Sequence, residues 1–285
     1  MDMIMDCILD ALIDLVKLIP FLFFTYLCME YLEGHLQDKV GNILRKAGKS
    51  GPLWGSALGI IPQCGFSAFG ANFYAGHLIS VGTVVAIFLS TSDEMLPLLL
   101  SAEIPAVTVI LILLGKAVIG LLIGFLTDFV IGSFFSNKIK ATDIHHFCEH
   151  EHCKCGHNIL KPALMHTLRI GGFIFVISAI LNIIIEFVGL ENVTAIAEGR
   201  PVLGVLIACI VGLIPNCGAS VAIATLFIDG VIPVGTMMGG LLTGAGVGLL
   251  VLFKVNDDIK ENLIITSIIF VTGLISGILI NLVLL

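Results

Sequence analysis

Along this chain, polar residues come in short bursts between long apolar blocks. The main blocks cover about 15–32, 53–75, 78–100, 104–131, 168–190, 203–228, 231–253 and 263–285. Most approach or exceed the roughly 20 residues that a helix needs to cross the hydrocarbon core of a bilayer. A polar stretch at about 132–167 parts the fourth block from the fifth, leaving two halves of four blocks each. The pattern predicts an all-α polytopic membrane protein with a first membrane unit over 1–131, a polar loop over 132–167 and a second membrane unit over 168–285.

The halves repeat. A shift of 153 positions lays Gly59, Ile61, Pro62, Cys64, Gly65, Ser67, Ala71, Ile79, Val81, Gly82 and Thr83 on identical residues, 11 identities in 25 ungapped positions. Glu33 falls on Glu186 by the same shift. Shared apolar bias would scatter Leu and Ile matches; it would not match Pro, Cys and Gly. A duplicated half of the kind found in transporters accounts for it.

Lys and Arg accumulate on the cytoplasmic side of a membrane protein, and they orient the halves. The 33–52 loop carries Lys39, Arg45, Lys46 and Lys49, and the 132–167 loop carries Lys138, Lys140, Lys154 and Lys161. With both loops cytoplasmic, the chain between them crosses an even number of times. Each half then crosses an odd number of times, so the second half is inverted relative to the first and both termini lie outside. The 191–202 loop, with Arg200 beside Glu191 and Glu198, fits an external position, and 254–261, with Lys254 and Lys260, an internal one.

An even count from three blocks requires one block that does not cross simply. The 53–75 block has arms of about 10 residues on either side of Pro62–Gly65, each half a span. Pro removes a helical N–H and Gly permits a sharp turn, so a break there makes a helical hairpin that returns to its own side. The arms around Pro215–Gly218 repeat it. The expectation is two inverted-topology repeats, each of three full transmembrane helices plus one broken, re-entrant hairpin, about ten hydrophobic segments in all. A kinked full span is the competing reading.

Composition narrows the class further. The chain has 285 residues, 58% hydrophobic and 12% charged, against roughly 25% charged in soluble domains. A formal charge of −7 argues against nucleic-acid binding. The opening "MDMIMDCILDALIDLV" has neither a basic start nor a small-residue cleavage site and does not read as a removable leader. Its Asp2, Asp6, Asp10 and Asp14 recur every four residues, as a solvated stripe on an interfacial helix would.

Irregular backbone at membrane depth is tolerated only where protein buries it or water reaches it. At the hairpin tips, freed carbonyls and helix ends converge as in an ion site. Gln63 and Asn216 add amide groups there, and Cys64 and Cys217 add soft sulfur ligands; Ser67 and Ser220 follow one turn on. A packing kink with Cys as a small hydrophobe explains one such motif equally well, though not two matched copies. In "FLSTSDEMLP", Asp93 and Glu94 lie mid-block behind Ser90, Thr91 and Ser92. Ionisable groups within a membrane segment mark ion or proton sites by default. The aligned second-half stretch, Thr243 to Val247, is "TGAGV", so one half supplies acid and the other close backbone. Lys116 lies mid-span, where it faces the interior and pairs with Asp93 or Glu94, as a structural ion pair or as a group that displaces bound cation. Glu33, Glu186 and Asp128 sit at span ends, where a carboxylate is cheap.

The loop segment "HHFCEHEHCKCGH" is the densest polar signal. His145, His146, Cys148, His150, His152, Cys153, Cys155 and His157 are ligands suited to Zn²⁺, Cu and other borderline or soft metals. Cys153 and Cys155 stand too close for a zinc-finger knuckle, so a flexible multi-metal loop fits better, with a solvated linker as its bland alternative. The chain lacks a Walker A sequence, G-x-S-x-G and H-E-x-x-H. The sequence therefore predicts no enzyme and no ATPase engine.

The paired "GIIPQCG" and "GLIPNCG", the "STSDEMLP" segment and the His/Cys loop together resemble the bacterial ten-transmembrane heavy-metal exporter family, which is arsenic-permease-like in name and layout and is also labelled as manganese transporters. The resemblance covers nearly the whole chain and implies an efflux permease of the bacterial inner membrane. The ligand chemistry leaves the substrate open: thiols suit Zn²⁺, Cd²⁺, Cu⁺ or trivalent arsenic, whereas Asp93, Glu94 and the amides suit Mn²⁺. The expected partners are a metal ion, the lipid bilayer and further copies of the chain in a homo-oligomer; no cofactor is required beyond metal as substrate or loop ligand. Two other readings stay open, a transporter of arsenical or sulfur-containing anions and a metal sensor or store acting through 145–157.

Overall fold

The computed structural model describes residues 50–60, 64–76, 78–92, 95–102, 104–135, 201–215 and 217–284, with separate helical positions within 9–27 and 160–180. In the first half the continuous helices are α1 (Gly51–Gly59), α2 (Cys64–Ala75), α3 (Val81–Ser90), α4 (Met95–Ser101) and α5 (Ala106–Phe135). In the second they are α6 (Pro201–Gly212), α7 (Cys217–Ile228), α8 (Val234–Thr243), α9 (Val247–Val255) and α10 (Ile259–Leu284). The 153-residue shift carries the starts of α2, α3 and α5 onto those of α7, α8 and α10 without slippage.

The chain doubles back between α1 and α2. A methyl group on Gly51 would run into Thr83, one on Gly55 into Thr83 and Ile87, and one on Gly59 into Ile87 and Ser90. So α1 runs alongside α3 in the same direction, its glycines letting the two backbones touch. Yet α2 ends at Ala75, only a few residues before Ser80, the N-cap of α3. The end of α2 and the start of α1 therefore share one end of the unit, and the end of α1 and the start of α2 lie at the other. The second half repeats the arrangement: Gly212 packs on Gly240 and Thr243 at the end of α8, and Val205 lies against Gly239.

After the hairpin, each repeat crosses in two pieces. Only 10 residues of α3, about 15 Å of helix, precede its end at Ser90, and Thr91 and Ser92 lie outside it. Here Ser90 Oγ donates to the Ala86 carbonyl at 2.6 Å and Thr91 Oγ1 to the Ile87 carbonyl at 2.7 Å, feeding the last turn from side chains. In the second repeat α8 stops at Thr243 and α9 restarts after Gly246, whose φ of 54° is one that L side chains rarely adopt. The apolar blocks at 78–100 and 231–253, expected as single spans, thus each hold two helices. Ser, Thr and Gly interrupt the helix without interrupting the hydropathy.

The unbroken helices flank them. α5 and α10 are 30 and 26 residues long, about 45 and 39 Å, ample for a bilayer core of about 30 Å. Their apolar windows are only 28% buried, whereas that of Val234–Val255 is 89% buried. Val107, Leu111, Leu114, Val118, Leu122 and Phe129 form one outward stripe on α5, the face lipid would wet. The opposite face carries Gly120 and Gly124, packed on the backbone of α3 at Ala86 and Gly82. On α10 the shifted positions, Gly273 and Gly277, pack on Gly239 and Gly235 of α8.

These contacts also set the relative direction of the repeats. Gly82, at the hairpin-base end of α3, lies beside Asp128 near the end of α5; Gly235, at the base of the second hairpin, lies beside Asn281 near the end of α10. The start of α10 is therefore the end of the second repeat remote from its own hairpin base. There Glu261 accepts a hydrogen bond at 2.9 Å from Tyr74, at the base of the first hairpin. A hairpin base of one repeat thus meets the far end of the other, and Gly248 of α9 packs on Ser67 of α2 between them. The repeats are inverted, as the loop charges implied.

Asp128 is a structural acceptor: it takes hydrogen bonds from Ser80 Oγ at 2.7 Å and from the Gly82 N–H at 2.8 Å, closing the first turn of α3 from α5. Its counterpart Asn281 donates to Thr236 Oγ1 at 3.1 Å. Asp128→Leu should therefore lower stability by about 1–3 kcal/mol, while Asp128→Asn, the amide already present at the symmetric place, should cost clearly less. Thermal unfolding of the purified protein in detergent measures both.

Candidate substrate site at the helix breaks

Each repeat has two breaks, and hydrogen bonds join them. Ser92 Oγ, just past α3, donates at 2.8 Å to the carbonyl of Ile60 at the hairpin tip. In the second repeat Thr243 Oγ1, at the end of α8, donates to Gly240 at 2.8 Å and to Cys209 in α6 at 3.0 Å. So in both halves a hydroxyl from the broken crossing reaches the inward arm of the hairpin beside it. Thr243 is the 153-residue partner of Ser90, a conservative match that shared identities alone do not reveal.

The residues singled out from sequence divide as follows. Cys64 and Cys217 open the return helices α2 and α7, at the positive ends of the helix dipoles. Ser67 and Ser220 are buried one turn further on. Ser90 is buried with its hydroxyl turned onto the carbonyls of its own helix, at 2.6 Å to Ala86 and 3.2 Å to Ile87, and Gly59 packs beneath it. Ser92 bonds the tip. Gln63, Asn216, Asp93 and Glu94, the side chains of Cys64 and Cys217, and the whole of 145–157 lie outside the described residues, as do Glu33, Glu186 and the stripe Asp2 to Asp14.

Lys116 is the strongest electrostatic feature described. It is 1% exposed, about a third of the way along α5 on the face that carries Gly120 and Gly124. Its ammonium donates to the carbonyl of Thr91, the C-cap of α3, and at 2.8 Å to the carbonyl of Leu241 in the last turn of α8. Burying an ammonium costs on the order of several kcal/mol unless good partners offset it. Helix C-termini are the negative ends of the helix dipoles, and their last carbonyls lack helical N–H partners, so two of them suit a buried cation. Around it Val109, Ile112, Met237 and Leu241 pack as an apolar cluster, and Met238 Cε comes within 3.5 Å of a methyl built on Gly115. Little water is left there to weaken the interaction.

The carbonyls of Thr91 and Leu241 were invisible to reading by residue type. Side chains announce themselves in a sequence; a freed carbonyl does so only through the break that frees it. The break at 244–246 had such a signal in "TGAGV", and the one after α3 had it in three successive hydroxyl residues. What the arrangement can do chemically follows from its parts: carbonyl ends of α3 and α8 offer oxygen to a cation, while thiol-bearing positions open α2 and α7.

The fold and these breaks define an all-α polytopic membrane protein of two inverted repeats with discontinuous helices at its centre. The chain belongs to the family described as "Putative, 10TM heavy-metal exporter", which it matches over residues 1–189 and 168–284. The second match begins near the second repeat. No curated protein and no solved structure matches it.

Because Ser92 ties two breaks together and Ser90 bonds only within its own helix, their alanine variants should differ. Ser92→Ala should cost about 1–2 kcal/mol of stability, and Ser90→Ala about 0.5 kcal/mol or less, since the helical bonds of Ala86 and Ile87 remain. Paired melting curves in one detergent check the ranking.

Proposed function

We propose that this chain is a secondary transporter that exports a divalent transition- or heavy-metal ion. The observation that carries the reading is the pair of Pro-amide-Cys-Gly motifs, which fall at matched helix breaks in inverted repeats. Family membership supports metal export as the activity. In this reading Gln63, Cys64, Asn216 and Cys217 hold the ion at the midplane, between hairpins that each re-enter their own side of the bilayer. Asp93 and Glu94 supply charge and exchange protons, and Ser67, Ser92 and Ser220 add hydroxyl oxygens. The protein acts in the bacterial inner membrane with both termini outside. The cytoplasmic loop binds the same metal through His145, His146, Cys148, His150, His152, Cys153, Cys155 and His157.

A second reading has its own support. The helix N-termini at Cys64 and Cys217 and the buried Lys116 also suit a thiol-reactive oxyanion or arsenical. Flux into proteoliposomes separates the two, with Zn²⁺, Mn²⁺, Cd²⁺ and arsenite offered in turn. Metal export predicts uptake of a divalent ion that is abolished in Cys64→Ala/Cys217→Ala and sharply reduced in Asp93→Asn/Glu94→Gln. Arsenite uptake untouched by the carboxylate changes would favour the anion reading. Metal binding by the loop with no flux of any substrate would make the protein a sensor or store instead.

A further inference from the structure

We propose that Lys116 is a tethered cation: its ammonium fills a cation site built by the carbonyl ends of α3 and α8 and, by filling it, latches the first repeat to the second. The partners identify the site. Thr91 terminates α3, and its carbonyl lies at the negative end of that helix. In α8 the N–H that would close a helical bond to Leu241 is that of Ala245, and it donates to Thr243 instead, at 2.9 Å. The Leu241 carbonyl is thus released by the break at 244–246 and taken up by the ammonium at 2.8 Å. One nitrogen answers two helix ends from opposite repeats, across 25 residues of sequence in one direction and 125 in the other.

The symmetry of the fold sharpens this. The 153-residue partner of Lys116 is Ile269, fully buried in the core of α10. Two pseudo-equivalent helix ends are served by a single charge, so the positive group is not a duplicated packing device. The chemical class that suits the site is a primary ammonium, compact and with several donors. Its consequence for transport rests on the reading above: a metal ion entering at the breaks competes for these carbonyls, and ammonium withdrawal unfastens the repeats so that one can move against the other.

The test is chemical replacement in the full-length protein purified in detergent. Lys116→Ala removes the tail and leaves room for propylammonium. Its Tm should fall below that of the wild type and climb back by several degrees in propylammonium, with 1-propanol and tetramethylammonium ineffective and the wild type unmoved. Equal stabilisation by 1-propanol would mean an apolar cavity and overturn the proposal, as would a Lys116→Ala protein as stable as the wild type without any additive. Should Lys116→Ala fail to fold, Lys116→Met fills the volume without the charge: a melting point lowered and indifferent to propylammonium supports the latch, and one equal to the wild type overturns it. Zn²⁺ flux in proteoliposomes, read on the same preparations, keeps the two readings apart. A wild type that moves no metal defeats the transport reading alone, whereas the melting arm judges Lys116 by itself.

Discussion

Every backbone carbonyl that a helix break frees inside a bilayer must find a donor within the protein. That constraint governs the centre of this molecule. Eight described helices stop or restart at four mid-chain breaks, and side-chain donors reach the helix ends there. Ser92 serves Ile60 and Lys116 serves Thr91 and Leu241, while Thr243 adds a second bond to the carbonyls of Cys209 and Gly240, which already accept from the N–H groups of Leu213 and Gly244. The Lys116 contacts differ in kind, because they carry a full charge and join the two repeats.

Around this centre the repeats are held by close backbone approach more than by large side chains. Gly59 and Gly212 seat the hairpins on the broken crossings, and Gly120, Gly124, Gly273 and Gly277 seat the long helices on the same crossings. In lipid the apolar effect does not favour helix–helix contact, so small residues and interhelical hydrogen bonds hold the bundle together. The outcome is a layered molecule: long helices with greasy faces outside, short broken helices inside. The symmetry is then deliberately incomplete. Asp128 faces Asn281, Ser90 faces Thr243 and Lys116 faces Ile269 across the pseudo-twofold, so the scaffold is shared while the charge is placed in the first repeat. A transporter needs that combination, an exchangeable frame with a site that is not itself duplicated.

Much of the frame was legible in the chain. The 153-residue shift located the starts of six helices in three pairs, because Cys64, Val81 and their partners sit where the backbone changes course. Loop lysines and arginines gave the inversion that the Tyr74–Glu261 contact bears out. What escaped notice was the second break in each half. Ser90, Thr91 and Ser92 are small enough to leave the hydropathy of the 78–100 block high, and Gly244 to Gly246 do the same in 231–253, so both read as uninterrupted spans. Ser90 was legible as a candidate ligand, and its hydroxyl bonds carbonyls of its own helix. Lys116 was legible as an interior charge, but its carbonyl partners lie on other helices, and only the fold brings them within reach. Asp93, Glu94 and the His/Cys loop keep the standing that their chemistry gives them.

The central claim is that the repeats face each other upside down, so that their breaks meet within the membrane. The sidedness of single reporter cysteines tests it most directly, introduced at Gly76, Asp257 and Asp229 in a chain whose native cysteines are replaced. With a membrane-impermeant maleimide on sealed vesicles of known orientation, positions 76 and 257 should react from one side and 229 from the other. Reaction of 229 from the same side as 76 would make the repeats parallel and contradict the account.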